Sequence, residues 1–264
     1  MAETGATLTF IGTATTLLRL ADFTILTDPN FLHRGQRAYL GYGLWSKRRT
    51  EPSLMPSALP SLDAVVLSHL HGDHFDRVAR RGLDHDVPVL TPPPAARTLR
   101  RWGFHQAAGL STWSTVEITK GEDRLLVTAV PGVHGPGLVG RLLPPVMGSV
   151  LELRRGQARP LRLYLTGETL YRPMLSSVAE RCGAIDGMVI HLGGTRILGV
   201  LVTMDAGQGV ALTELLRPSV TVPVHFDDYG VFTSPRADFV DRARRRNAGP
   251  VRTVERGQTI SLLP

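Results

Sequence analysis

The sequence predicts an α/β protein built from two stacked β-sheets with helices packed on their outer faces. Three observations carry that expectation. Short β-rich runs recur in both halves of the chain with helix-like stretches between them, which suits layers of sheet and helix around a shared core. Several of those runs stop beside Gly or Pro and release a His, Asp or Glu. One stretch, SHLHGDHF at 68–75, packs His69, His71, Asp73 and His74 directly after the apolar run 64–67.

In chain order, 7–11, 15–20 and 23–26 read as a meander of antiparallel strands, punctuated by Gly12 and by Ala21-Asp22. Thr27-Asp28-Pro29 ends the third strand. Residues 30–60 form a long polar, Gly- and Pro-rich segment carrying Tyr39, Tyr42 and Trp45. Loops of that length in compact domains are functional or mobile, so this one is expected to border a pocket. The run 64–67 reads as a buried strand whose end aims its ligands outward, with Gly72 letting the backbone curl. A helix-like piece follows, then a strand at 87–90 and a helix at 95–102 stopped by Gly103.

Strands are expected at 116–118 and 125–130, the latter running into Pro131-Gly132-Val133-His134. Residues 149–153 and 161–165 pair as a hairpin, with Arg154, Arg155, Arg159 and Arg162 near its turn read as solvated. The second strand delivers Thr166-Gly167-Glu168. Residues 173–181 are helical, and the strand 187–190 releases His191. Asp205, with Gln208 three residues on, caps a helix through Leu216. A strand at 220–224 ends at His225. The last helix starts at Ser234-Pro235, with Asp238 early and arginines late, as the helix dipole favours.

Clustered imidazoles and carboxylates desolvate and repel one another unless a cation lies among them. Neutral imidazole with carboxylate suits zinc, and also iron or manganese. A lone His is more often a satisfied core or surface residue, but four ligand types at HxHxDH spacing argue against a plain solvated turn. His134, Glu168 and His225 are each unremarkable singly; their shared position at strand ends joins them to the group. Asp28 is a candidate partner for the far nitrogen of a ligand His, although Asp-Pro also starts turns. For His191 a polar strand end and a pocket contact are equally good readings.

The chain has 264 residues, 42% hydrophobic and 20% charged, as for an ordinary soluble protein. That length allows one or two domains, and a single layered domain over 1–264 is expected. The net charge is +7, yet Lys47 and Lys120 are the only lysines, so the excess is arginine usage rather than a nucleic-acid surface. An anionic small-molecule substrate remains compatible with it. Cys182 is the single cysteine, which excludes an internal disulfide and a thiolate metal site. Neither a leader-like N-terminus nor a membrane-spanning apolar run is present, so a cytoplasmic location is expected. The oligomeric state is not legible.

The motifs ILTDPNF, LDAVVLSHLHGDHFD, AVPGVH, LYLTGETLY, IHLGGT, VTMDAGQGV and VPVHFDDY together resemble the metallo-β-lactamase-fold hydrolases. Within them, the chain is most similar to the branch holding ascorbate-6-phosphate lactonase and N-acylphosphatidylethanolamine-hydrolysing phospholipase D. The resemblance runs from Thr7 to about Pro235 and implies an αββα sandwich of two mixed sheets. It implies that His69, His71 and His134 hold one divalent cation and that Asp73, His74 and His225 hold another. Zinc is the first expectation for both, with manganese or iron as alternatives. Glu168 stands where the family has a bridging Asp, and its extra methylene predicts a weaker second site. The implied activity is cleavage of an ester, lactone or phosphodiester by a metal-bound hydroxide, with Asp73 as the catalytic proton carrier. Tyr39–Trp45 (39–45), His191 and Tyr229 would shape the pocket. A mononuclear iron oxygenase acting on a thiol derivative, and a weakly active metal-binding relative, are the competing readings.

Overall fold

Apolar residues alternate along the strands, and the alternation sorts them onto two sides of each sheet. Ala64 and Val66 face one way and Val65 the other; Leu163 and Val189 oppose Tyr164 and Ile190. The inward set from both sheets meets in one core, where Leu8, Phe10 and Ile25 pack with Leu125, Leu151 and Val222. The outward sets each need a cover of helix. Val65 and Val89 lie beneath Ala79, Ala96 and Leu99, while Tyr164 and Ile190 lie beneath Val178, Val210 and Phe239. Fully burying a side chain of this size contributes about 1.5–3 kcal/mol. Removing Phe239, 0% exposed at the centre of one cover, should cost about 3–5 kcal/mol.

The computed structural model describes residues 5–263. Residues 1–4, part of the N-terminus read above as lacking a leader, lie outside the described residues. The first sheet has seven strands in the order Thr259–Ser261, Ala6–Gly12, Thr15–Leu20, Phe23–Thr27, Ala64–Val66, Val89–Thr91, Ala107–Gly109. The second has six, ordered Val220–Val224, Gly187–His191, Leu161–Leu165, Gly148–Arg154, Asp123–Val130, Thr115–Lys120. Each sheet combines antiparallel and parallel pairs, so the expected αββα sandwich of mixed sheets is the observed fold. Among the described residues, no helix is long and apolar enough to cross a membrane.

Topology places the strand ends. Phe23–Thr27 and Ala64–Val66 run parallel in the first sheet. In the second, Leu161–Leu165, Gly187–His191 and Val220–Val224 run parallel, and Asp123–Val130 shares their direction through two antiparallel steps. Each of these strands therefore releases its next residues along one edge, the carboxyl edge where α/β proteins bind ligands.

Several local expectations need correction. The helix expected at 95–102 begins earlier, at Pro93, because proline suits the first turn, where no N–H is required. Gln208 does not complete a capping box: its Oε1 accepts from Tyr171 N, while Asp205 alone caps Gln208 N. The arginines near the 148–165 hairpin turn are paired rather than merely solvated. Register sets Glu152 opposite Arg162, whose Nε lies 2.6 Å from it, and Arg155 Nε lies 2.9 Å from Asp123. The segment 30–60 is not a bare loop, since Arg37–Tyr39 and Trp45–Lys47 form a hairpin within it. The hairpin of Arg196–Ile197 with Val200–Leu201 was not anticipated.

Candidate metal centre

The strand Ala64–Val66 hands over to a loop that is held from two directions. Asp28 Oδ1 accepts from Ser68 N and from Ser68 Oγ, at 2.7 and 2.9 Å. At its far end Asp76 caps the helix Arg77–Gly82 through Oδ1. The other oxygen of Asp76 accepts from Phe31 N, Leu32 N and Asn30 Nδ2. Gly72 is needed for a reason other than backbone curl: a Cβ there would lie 2.7 Å from the backbone of Tyr39, whose carbonyl accepts from Gly72 N. Gly167, at φ +61°, makes the turn that presents Glu168.

So braced, the side chains form two groups of donors, all buried. In the first are His69, His71, His134 and Glu168; in the second are Asp73, His74, His225 and Glu168. His69 Nε2 lies 2.9 Å from His71 Nδ1. Glu168 Oε2 lies 3.3 Å from His69 Nε2 and 3.4 Å from His134 Nε2. Its other oxygen, Oε1, lies 3.2 Å from His225 Nε2 and 3.7 Å from His74 Nε2. Asp73 Oδ2 completes the second group, 3.4 Å from His225 Nε2 and 4.0 Å from His74 Nε2. The carboxylate of Glu168 thus belongs to both groups, one oxygen to each.

The outer nitrogen of most of these imidazoles is engaged, which leaves the inner one free. His134 Nδ1 donates to Val202 O at 3.0 Å and His225 Nδ1 to Leu192 O at 2.8 Å. His69 Nδ1 is 3.1 Å from Ser68 Oγ, and His74 Nδ1 is 3.5 Å from Asp28 Oδ1. The inner Nε2 atoms of His74, His134 and His225, together with Asp73 Oδ1, are buried without a partner. Buried polar atoms are nearly always satisfied, so four such orphans facing one volume fit a cation. Spacing agrees: four ligands at about 2.0–2.1 Å in a tetrahedron are separated by roughly 3.3 Å. Glu168 Oε2 meets that value with His69 and His134, at 3.3 and 3.4 Å, and Oε1 meets it with His225 at 3.2 Å but lies 3.7 Å from His74.

Protonation also divides the groups. Burial lowers His69 well below its usual value, and the neighbouring His74 and His71 lower it further. Burial likewise takes His71 down to about 4. For His74 burial acts downward too, but Asp28 and Asp73 overcome it and hold the imidazole well above its usual value. His225 is raised against burial by Glu168 and Asp73. Burial would raise Glu168, yet His225, with His69 and His74, keeps it well below the carboxylate range.

Asp28 stands behind the second group: Oδ1 faces His74 and Oδ2 lies 3.2 Å from His191 Nε2. His191 is 2% exposed and directed at Asp28 and Thr166 Oγ1, so it sits behind Asp28 and not in the cavity lining. Tyr229 is likewise withdrawn from the pocket, its hydroxyl donating to Asn30 Oδ1 at 3.0 Å. The segment 39–45 contributes Leu40, Leu44 and Trp45 to the cavity over the donor groups, but Tyr39 and Tyr42 are not among the lining. Sequence reasoning missed the facing wall, the hairpin at 195–203, and the braces Asn30, Arg48 and Asp76. Arg48 is 0% exposed and donates through Nη1 to both Asn30 O and Asn30 Oδ1. Asn30 and Asp76 sit inside the motifs already quoted, whereas nothing around Arg48 signals burial.

Comparison with known proteins gives a consistent picture. The family profile described as Beta-lactamase superfamily domain matches residues 24–226. A metal-dependent hydrolase of Anaeromyxobacter sp. (strain K) is 26% identical over 224 residues, 83% of this chain and 77% of that one. Among solved structures, the isothiocyanate hydrolase from Delia radicum gut bacteria superposes with a TM-score of 0.82 at 20% identity, covering 98% of this chain and 100% of that one. CmlA, a diiron beta-hydroxylase from Streptomyces venezuelae, gives 0.66 at 19% identity, covering 97% of this chain and 54% of that one.

Proposed function

The chain belongs to the beta-lactamase superfamily, and from that premise we propose that it is a hydrolase dependent on two divalent cations. The observation that carries the proposal is the split of Glu168, one oxygen toward His69 and His134 and the other toward His74 and His225. His69, His71 and His134 would hold the first cation, and Asp73, His74 and His225 the second, with Glu168 shared. The donors are nitrogen and oxygen only, which suits zinc and also manganese or iron. The whole chain would act as one catalytic domain. The name of the Anaeromyxobacter relative supports the reading.

Bound cations supply an acidified water and polarise the oxygen of the scissile group. The protein's own contribution is orientation and proton handling. Asp28, Val202 O and Leu192 O fix three imidazoles with their free nitrogens inward. Asp73 lines the cavity, and its Oδ1 has no partner. It is the group that would accept the proton of the attacking water and return it to the leaving group. An ester, lactone or phosphodiester meets those requirements.

The test is metal analysis of protein purified without added metal, with turnover measured on esters, lactones and phosphodiesters. About two equivalents of cation are expected, with turnover abolished by a chelator and restored by zinc or manganese. Turnover indifferent to complete cation removal would refute the proposal. Iron content with dioxygen consumption would replace it with the oxygenase reading.

A further inference from the structure

The cavity over the donor groups has a volume of about 220 Å³ and two unlike ends. At its floor are His71, Asp73, His134 and Glu168. Its walls are Leu40, Leu143, Ile197, Val202 and Val231. At its mouth Leu44, Trp45 and Leu198 are exposed by 45%, 58% and 99%. Three separate segments, around 40–45, 143 and 195–203, therefore converge to present aliphatic and aromatic carbon above a polar floor. Apolar side chains this exposed are ordinary one at a time, but a contiguous set rimming a cavity marks a binding surface.

Charge is scarce above the floor. Arg196 is the one cationic side chain in the wall among the described residues. Its Nη1 donates to Gly199 O at 3.1 Å, within its own hairpin, and its Nη2 lies 3.9 Å from Asp205 Oδ2. A charged tail entering here would give up water and meet a single cation already shared with Gly199 O and Asp205, which is costly. One polar atom is left over: Thr195 lines the cavity, and its Oγ1 is buried without a partner. Thr203 Oγ1 beside it accepts from Thr195 N at 2.7 Å.

From these features we infer that the substrate is an uncharged molecule whose reacting head sits at the donor groups and whose apolar tail lies along the 195–203 hairpin. The inference rests on the hydrolase reading for the nature of the head, and deepens it by naming the tail. The anionic substrate compatible with the net charge of +7 is not the kind this wall favours. The basic excess lies elsewhere on the surface, and much of it is paired with carboxylates.

The experiment uses the full chain loaded with zinc and a series of straight-chain alkyl hydroxamates, neutral probes whose head binds cations whether or not turnover occurs. Each added methylene buried in the wall should tighten binding by about fourfold, measured by calorimetry, until the tail reaches the open mouth. Carboxylate-ended counterparts of equal length should bind at least about tenfold more weakly. Affinity independent of chain length, or tighter binding of the carboxylates, overturns the inference. Ile197→Asn, on the half-exposed hairpin, should flatten the slope while zinc content and circular dichroism stay unchanged; an undiminished slope overturns the hairpin's part. A parallel series of neutral alkyl esters separates the two readings. Length-dependent hydroxamate binding without any hydrolysis removes the hydrolase reading and leaves the tail site standing. Hydrolysis without length dependence does the reverse, and absence of hydroxamate binding overturns the tail site.

Discussion

The two donor groups share one carboxylate yet are built differently. Glu168 meets His69 and His134 at similar short separations, and burial lowers His69 and His71. In the second group Glu168 and Asp73 lie nearer to His225 than to His74, and both histidines are raised by the carboxylates around them. Three carboxylates, Asp28, Asp73 and Glu168, bear on His74 and His225, while only Glu168 touches the first group directly. Those carboxylates favour the protonated form of His74 and His225 when no cation is bound. On the two-cation reading, the first position would be prepared for a cation and the second would exchange protons for one. Affinity at the two positions should differ accordingly, in size and in response to pH.

The largest effect expected is from His71→Ala, which removes a donor of the prepared group at the cavity floor. Losing a Lewis-acid cation forfeits several kcal/mol of transition-state stabilisation, on the order of 10³-fold in kcat/KM. Metal content should fall by one equivalent, and unchanged stoichiometry would break the assignment. Asp28→Asn comes next. It leaves every donor in place but takes the charge from behind His74, so affinity at the second position should fall about 10–100-fold. Competition with a chromophoric chelator reads both positions, and an equal loss at both would erase the distinction between them. Glu168→Asp should have the smallest effect. Shortening the arm should tighten the second position a few-fold, by about 1 kcal/mol or less, because its Oε1 contacts are the uneven ones. A loss of the second cation would mean that the longer arm is required to reach both groups.

Much of this arrangement is legible in the sequence because strands announce their ends. The apolar runs at 64–67, 125–130, 161–165 and 220–224 each stop at a ligand, and their parallel direction in the sheets brings those ligands to one edge. The alternation within each run also foretells two-sided burial, and hence two layers of helix. What sequence left unread depends on tertiary partners. His191 could face either way from its strand end, and the choice falls to Asp28, 163 positions earlier in the chain. The short strand Ala107–Gly109 is recognisable only by its neighbour Val89–Thr91. The hairpin at 195–203 carries its own signal, the Leu198-Gly199 turn between Ile197 and Val200-Leu201, yet nothing local says that it walls the cavity.

The central claim is that two unequal cation positions share Glu168. The direct measurement is a calorimetric titration of zinc into the metal-free chain at pH 7, repeated in buffers of different ionisation enthalpy. An imidazole lowered below its usual value has little proton to lose at that pH, and one raised above it keeps more of its proton. Two events are therefore predicted: a tighter one with almost no proton release from His69 and His71, then a weaker one releasing up to about two protons from His74 and His225. Lowering the pH should weaken the second event first, while the first persists toward the value of about 4 set by His71. A single event, or two events with the same affinity and the same proton count, would contradict the account.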